Sequence, residues 1–489
     1  MDDTTAKPEP AEHQEPGQDG AEAGKSSGDA TAPHPISIAI DRLIHRARDI
    51  KVAARRFLPV AYRSGKKNYE GVRAGLEGNV PLLEDKDRHV RALAQKEIHE
   101  LMVRFERLRN SNVPAAVESG LFLALFSAFD AFTGDLLRGL FSRKAVLFNS
   151  LTRTLTFGEV LGATSIDELK LQVLDDDIEN LRRKSYVDQF DTLTQRFGVR
   201  LTAFDDWPDF VECSQRRNLI THCDGVVTQQ YINVCRAAGI KEQELQELGS
   251  RVSLGAKYFY KSCELIIEVG LKLGQTLWRK ALPEELSEAD RHLIGAVYNA
   301  LEIRVWPRAR MMAEFAFGLT SASYGIESDI NKRIVTVNYA QALKRDGAPN
   351  EAKRILDQLD WTAAAGDFRL GYAVLTEDYD EAARLMTEIG EKGLLITEHA
   401  YHTWPLFIEF RETDEFARAY AGVFGHPYAD RLREDADEAS RAAAAEATKE
   451  LASGEEPDLS HQDDRSSDGG TETCAPAESR SRTSPERSA

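Results

Sequence analysis

Paired cysteines, glycine-rich phosphate loops and long apolar runs are all missing from this chain of 489 residues. Its five cysteines are Cys213, Cys223, Cys235 and Cys263 in the middle and Cys474 near the end, and no two share a ligand-like spacing. That excludes a zinc knuckle and a disulfide framework. No metal-ligand motif, phosphate loop or serine elbow is present, so neither a metal nor a cofactor is expected. The most apolar run, Gly120 to Phe129, is too short to cross a bilayer and is followed at once by Asp130. The first residues are acidic and carry no apolar signal core, so the expectation is a cytoplasmic protein with reduced thiols and no membrane association. No stretch of alternating apolar and polar residues reads convincingly as a strand, which leaves an all-α fold.

What is there begins with charge. The formal net charge is −18, but residues 1–35 carry eight acids against two bases and residues 429–489 carry sixteen against eight. The two ends therefore hold most of the excess, and the middle is close to neutral. Both ends are rich in Ala, Gly, Pro, Ser and acids with few large apolar side chains. They cannot bury enough surface to offset their ordering entropy and read as disordered acidic tails.

Between the tails, helical periodicity predicts helices over about 36–58, 86–110, 114–142, 184–198, 205–235 and 255–280. Turn signals at Ser64-Gly65, Asn110-Ser111-Asn112 and Gly198 separate several of them. Residues 150–182 read as an acidic, irregular insert with a short extended piece at Leu151–Thr156. After Pro283 a second organisation begins. Asn350-Glu351-Ala352-Lys353-Arg354-Ile355-Leu356 and Asp380-Glu381-Ala382-Ala383-Arg384-Leu385-Met386 recur at a spacing of thirty. Such a repeat means stacked helical hairpins, and Tyr401–Phe407 with a helix to Phe424 would cap them. The expected division is a tail at 1–35, a helical domain at 36–282, a repeat domain at 283–428 and a tail at 429–489.

The chemistry lies in Ser214–Val227, where Arg217, Asn218 and His222 fall within six residues of one amphipathic helix. At roughly 100° per residue, Asn218 and His222 share a face and Arg217 sits on its flank. Leu219, Cys223 and Val226 form the buried stripe on the other side. Asp224-Gly225 reads as a helix end or kink. An arginine offers a fork of donors matched to phosphate oxygens, and an imidazole moves protons near neutral pH without help from a metal.

An arginine, a polar residue and a histidine at this spacing are the hallmark of the HEPN superfamily (higher eukaryotes and prokaryotes nucleotide-binding), which this chain resembles. The wording Arg216-Arg217-Asn218-Leu219-Ile220-x-His222, then Asp224-Gly225-x-Val227 and Tyr231, together with Glu118–Phe132 upstream, looks like one bacterial branch of it. The chain departs from that pattern at Asp224, where HEPN toxins often carry a tyrosine. The resemblance covers about half of the chain and implies an all-helical bundle and a metal-independent endoribonuclease leaving a 2′,3′-cyclic phosphate, in toxin or antiviral defence. It implies a homodimer too, with two motifs across a symmetric interface. The repeats look like tetratricopeptide-type hairpins, which imply a protein partner or antitoxin.

Three further residues attach to this reading. Asp130 interrupts an apolar helix, so it is either paired in the core or a partner of His222 or Arg217. Glu118 and Arg216 are candidates for the same supporting role, and Glu118 alternatively just flanks a helix start. Residues 41–67 hold nine lysines and arginines with Phe57 and Tyr62 among them. Arg55, Arg56, Arg63, Lys66 and Lys67 are accordingly expected to track RNA, or else to face the acidic tails or another protein. The competing function is a catalytically silent scaffold in which the bundle dimerises and the repeats bind a partner.

Overall fold

The structure, a computed structural model, describes residues 33–433 and residue 441. The acidic tails lie outside these residues except at 33–35, 429–433 and 441, as does Cys474. The fold is all-α: helices account for the described secondary structure, with isolated bridges only at Val226–Arg251 and Lys392–Thr397.

Helix α1 spans Pro35–Asn79. His34 caps it, accepting the Ile36 N–H at 3.3 Å, and Pro35 supplies a pre-set first position. It does not end near residue 58, and Ser64-Gly65 is helical rather than a turn. Pro59 removes one helical hydrogen bond, but α2, Arg88–Arg109, lies along the distal half and packs Leu101 against Gly75. Tertiary packing thus overrides a local helix breaker. The proximal half packs on α3, Val113–Arg143, and on α9, Ala256–Ala281. Gly270 and Gly274 let α1 approach, since a Cβ there would meet Leu43 and Ile40 at 2.1 and 2.7 Å. Phe122, Phe126, Phe129 and Phe132 repeat down the buried face of α3.

The segment 150–182 is not irregular. Leu151–Thr156 is non-helical, but α4, Phe157–Gly162, and α5, Ile166–Arg182, follow, each with a side-chain N-cap, at Thr156 and Ser165. α5 buries Leu174, Ile178 and Leu181. α6 spans Tyr186–Phe197 and ends at Gly198 in the left-handed conformation. The single helix expected over 205–235 is two: α7, Trp207–His222, and α8, Gln229–Ala237. Asp224 and Gly225 both take positive φ, 50° and 73°, and the Gly225 N–H returns to the Leu219 carbonyl at 2.9 Å.

Helices α10 (Leu286–Glu302), α11 (Trp306–Gly318), α12 (Asp329–Arg345), α13 (Pro349–Leu356) and α14 (Gly366–Leu375) continue the first compact unit, which ends at Glu377. The sequence suggests a division after residue 282, and the structure carries the unit past it. Arg279 of α9 pairs with Asp290 of α10 at 2.8 Å, both buried, and Arg308 of α11 grips Glu264 of α9 through two 2.8 Å bonds. The repeated wording falls on α13, which packs on α12, and on α15, Tyr379–Ile389. α15 belongs to the second unit with α16, Glu398–Thr403, and α17, Asp414–Phe424, around buried Tyr401, Phe407, Phe416 and Tyr420.

Within Arg88–Arg143 one window is apolar enough, by length and composition, to cross a membrane, and a third of it is buried in the protein. Its main element is α3, which carries Glu118 and Asp130 and supplies the aromatic face of the core.

Candidate functional site

Helix α7 is anchored by a buried polar cluster. Glu212 accepts Arg216 Nε and Nη2 at 2.8 and 2.6 Å, Tyr231 Oη at 2.6 Å and Tyr258 Oη at 2.6 Å. Arg216 also donates to the Ser253 carbonyl at 2.6 Å and lies 3.9 Å from the Tyr258 ring centroid. One carboxylate with four donors ties α7 to α8 and α9, a fully satisfied network that rigidifies its surroundings. Arg216 is therefore a brace beneath the site, facing away from it. Leu219, the last buried apolar side chain of α7, packs with Val227, Tyr231 and Cys235. Cys213, Cys235 and Cys263 have thiols pushed up to about 12 by burial, which keeps them un-ionised.

With α7 held this way, Arg217, Asn218 and His222 line one cleft of about 330 Å³. Arg217 is half-buried and donates to Asn218 Oδ1 at 3.1 Å, while His222 is exposed at the last turn. Asp130 stands behind them. Its Oδ1 accepts the Tyr186 hydroxyl at 2.8 Å. Burial pushes its carboxyl above the usual range, against the Tyr186 hydrogen bond and the charges of Arg217 and Arg182. The direct partner of the Asp130 carboxylate is thus Tyr186, and Arg217 acts on it through its charge alone.

Glu118 is elsewhere. Twelve residues up α3, roughly 18 Å along the axis, it bonds the Tyr62 hydroxyl of α1, and burial raises its carboxyl. Asp224 is used locally, held below the usual carboxylate range by its hydrogen bond to Arg251.

No family model, curated protein or solved structure matches this chain.

The side chains themselves carry the chemical reading. The cleft also contains Arg182, Arg183 and Lys184 from the α5–α6 junction, and among the described residues no aspartate or glutamate lines it. These three bases close a stretch that reads as acidic in the sequence, which masks them; the signal available was the unbroken Arg-Arg-Lys run before the Ser185 cap. Arg182 is fixed: Nε and Nη2 reach the Asp130 carbonyl at 3.0 and 2.8 Å, through space that only Gly134 leaves open, where a Cβ would sit 2.1 Å from Nη2. A cavity with several cations, an amide and an imidazole suits a phosphodiester. Among the described residues no group of three or more His, Cys, Asp or Glu could hold a metal ion.

On α1, Arg56, Arg63, Lys66 and Lys67 are exposed, and Lys66 makes only a 3.7 Å contact with Glu70. Arg55 lies over the Tyr260 ring at 5.3 Å. Lys51, from the same basic run, is structural, bonding Glu264 at 2.5 Å.

Proposed function

We propose that the chain is a metal-independent endoribonuclease of the HEPN type, joined to tetratricopeptide-like repeats. The convergence of Arg217, Asn218 and His222 in a cleft that, among the described residues, is lined by cations and no carboxylate carries this reading. In the proposed step one imidazole takes the proton of a ribose 2′-OH, and the freed oxygen bonds to phosphorus. The bond from phosphorus to the 5′-oxygen breaks, and that oxygen takes a proton from an acid. The products are a 2′,3′-cyclic phosphate and a 5′-hydroxyl. Arg217 opposes the charge that develops on the phosphoryl oxygens, and Asn218 orients a nearby oxygen. A single His222 is short by one proton-transfer group, so the acid is assigned to His222 of a second copy in a homodimer.

The test is cleavage of total RNA by purified wild type, Arg217→Ala and His222→Ala in EDTA. Wild type is expected to cut, and each variant to lose roughly a hundredfold or more. A requirement for added magnesium, or activity surviving both substitutions, refutes the assignment. Toxin or antiviral defence is the setting the resemblance suggests, with an antitoxin or other protein on the repeats.

A silent scaffold is the second reading, and one observation favours it. Phe157, Leu161 and Ile166 around α4 are 77%, 69% and 71% exposed, and clustered apolar exposure marks protein contact. A wild-type protein that binds RNA without cutting it would decide for the scaffold.

A further inference from the structure

The α5–α6 junction contributes two cations that no carboxylate pairs with among the described residues. Arg183 is exposed, and its side chain makes no hydrogen bond or ion pair among the described residues. Among the described residues, Lys184 Nζ reaches only the neutral Thr192 hydroxyl, at 3.0 Å. Their neighbours are engaged: Arg182 on the Asp130 carbonyl, Arg196 on both oxygens of Asp177 at 2.7 and 2.9 Å. Arg183 and Lys184 border the same cleft as Arg217 and His222, which are presented by a different helix. Thr228, the N-cap of α8, also borders it, and no acid occupies the first turn of α8, so the positive end of that helix faces the cleft. On α6 the first-turn acid is Asp188, whose Oδ2 accepts the Ser185 hydroxyl at 2.6 Å. At about 330 Å³ the space is near the lower end of the roughly 300–1,000 Å³ of small-ligand sites. A cavity of that size with cationic centres on two elements fits a ligand with an anion on each side of a small body, which is what one nucleoside and its two flanking phosphates present.

We propose that Arg183 and Lys184 form a phosphate subsite for the nucleotide next to the cleaved linkage, so that the cleft takes a single-stranded polynucleotide. This rests on the ribonuclease reading for the position of the cleaved bond, but the subsite itself is a binding claim. It places Arg183 and Lys184 in positioning the chain, with no part in proton transfer.

Two measurements on the full-length protein test it. The first is binding of a fluorescein-labelled 2′-O-methyl pentanucleotide, which cannot be cleaved through the 2′-OH. The Arg183→Ala/Lys184→Ala variant is expected to bind about tenfold or more weakly, with a log–log salt slope shallower by about 0.7 for the one phosphate the subsite holds. The charge-keeping pair Arg183→Lys/Lys184→Arg is expected to recover most of the loss, which a merely structural role would not. The second is steady-state cleavage, where the loss is expected in KM, with kcat kept, and to grow with the number of phosphates in the substrate. Weakened binding in a protein that never cleaves RNA sinks the ribonuclease reading and leaves the subsite standing. Unchanged affinity and slope, a loss not recovered by the charge-keeping pair, or a fall confined to kcat overturns the subsite.

Discussion

Asp130 shows how one residue couples stability to the site. Its carboxyl is raised first by burial, and the Tyr186 hydrogen bond and the charges of Arg217 and Arg182 offset this only in part. A carboxyl whose folded pKa lies above its unfolded value favours the fold when protonated, and that contribution is lost as pH rises through the two values. Above the ordinary carboxylate range Asp130 is thus a net cost to the fold. Asp130→Asn removes the cost and keeps an oxygen for Tyr186, so its Tm by scanning calorimetry is expected to exceed wild type at pH 7. The gain should fade on acidification below the ordinary carboxylate range. RNA cleavage is expected to fall in the same variant, because Arg217 loses a counter-charge. A Tm gain independent of pH, or a loss at pH 7, contradicts this account. His222 and Arg217 were legible in the sequence because both sit on one helix, where the spacing fixes the face. Tyr186 and Arg182 were not, because they reach Asp130 across 56 and 52 positions of chain.

At the scale of elements, the site depends on how α7 is held. The Glu212–Arg216 pair is buried and joined by two tyrosine hydroxyls. Removing one partner of such a pair leaves an unpaired buried charge and typically costs about 3–5 kcal/mol. Glu212→Ala is therefore expected to lower the unfolding free energy by that amount in a denaturant titration, with Glu212→Ala/Arg216→Met recovering part of it. An effect below about 1 kcal/mol would mean that water reaches the cluster. Pro59 gives a prediction of opposite sign. Pro59→Ala restores a helical hydrogen bond inside α1 and is expected to stabilise by about 1–2 kcal/mol, less than the full proline penalty because the unfolded chain also gains freedom. The sequence located α2, α3, α6 and α9 to within a few residues, since each has its own periodicity and the first three have a side-chain N-cap. It missed the continuity of α1, whose Ser64-Gly65 turn signal is overridden by packing on α2, and the helicity of α5. The acids of α5 are exposed or ion-paired, Asp175 to Arg138 at 2.9 Å and Asp177 to Arg196 at 2.7 Å, and only the folded chain supplies those partners.

For the whole molecule, the question is how a chain of net charge −18 would bind a polyanion. Most of that excess belongs to the two ends, and the cleft and α1 present cations locally. Nonspecific attraction to RNA therefore has to come from a few surfaces, and α1 is the long one, roughly 67 Å for its 45 residues. Arg56, Lys66 and Lys67 are exposed along it, and Arg55 is half-engaged over Tyr260. If they hold phosphates, each contact on a single strand steepens the log–log salt dependence by roughly 0.7. Replacing Arg55, Arg56, Lys66 and Lys67 by alanine is then expected to weaken RNA binding and flatten the slope by up to about 2.8. The chemical step at saturating RNA in single turnover should stay near wild type, since α1 lies outside the cleft of Arg217 and His222. The same titration on His222→Ala separates binding from cutting, because that variant keeps α1 intact and should keep the full slope. A quadruple variant with wild-type affinity and slope would move α1 from RNA to a protein partner, the role that the exposed Phe57 and Tyr62 between its arginines would then serve.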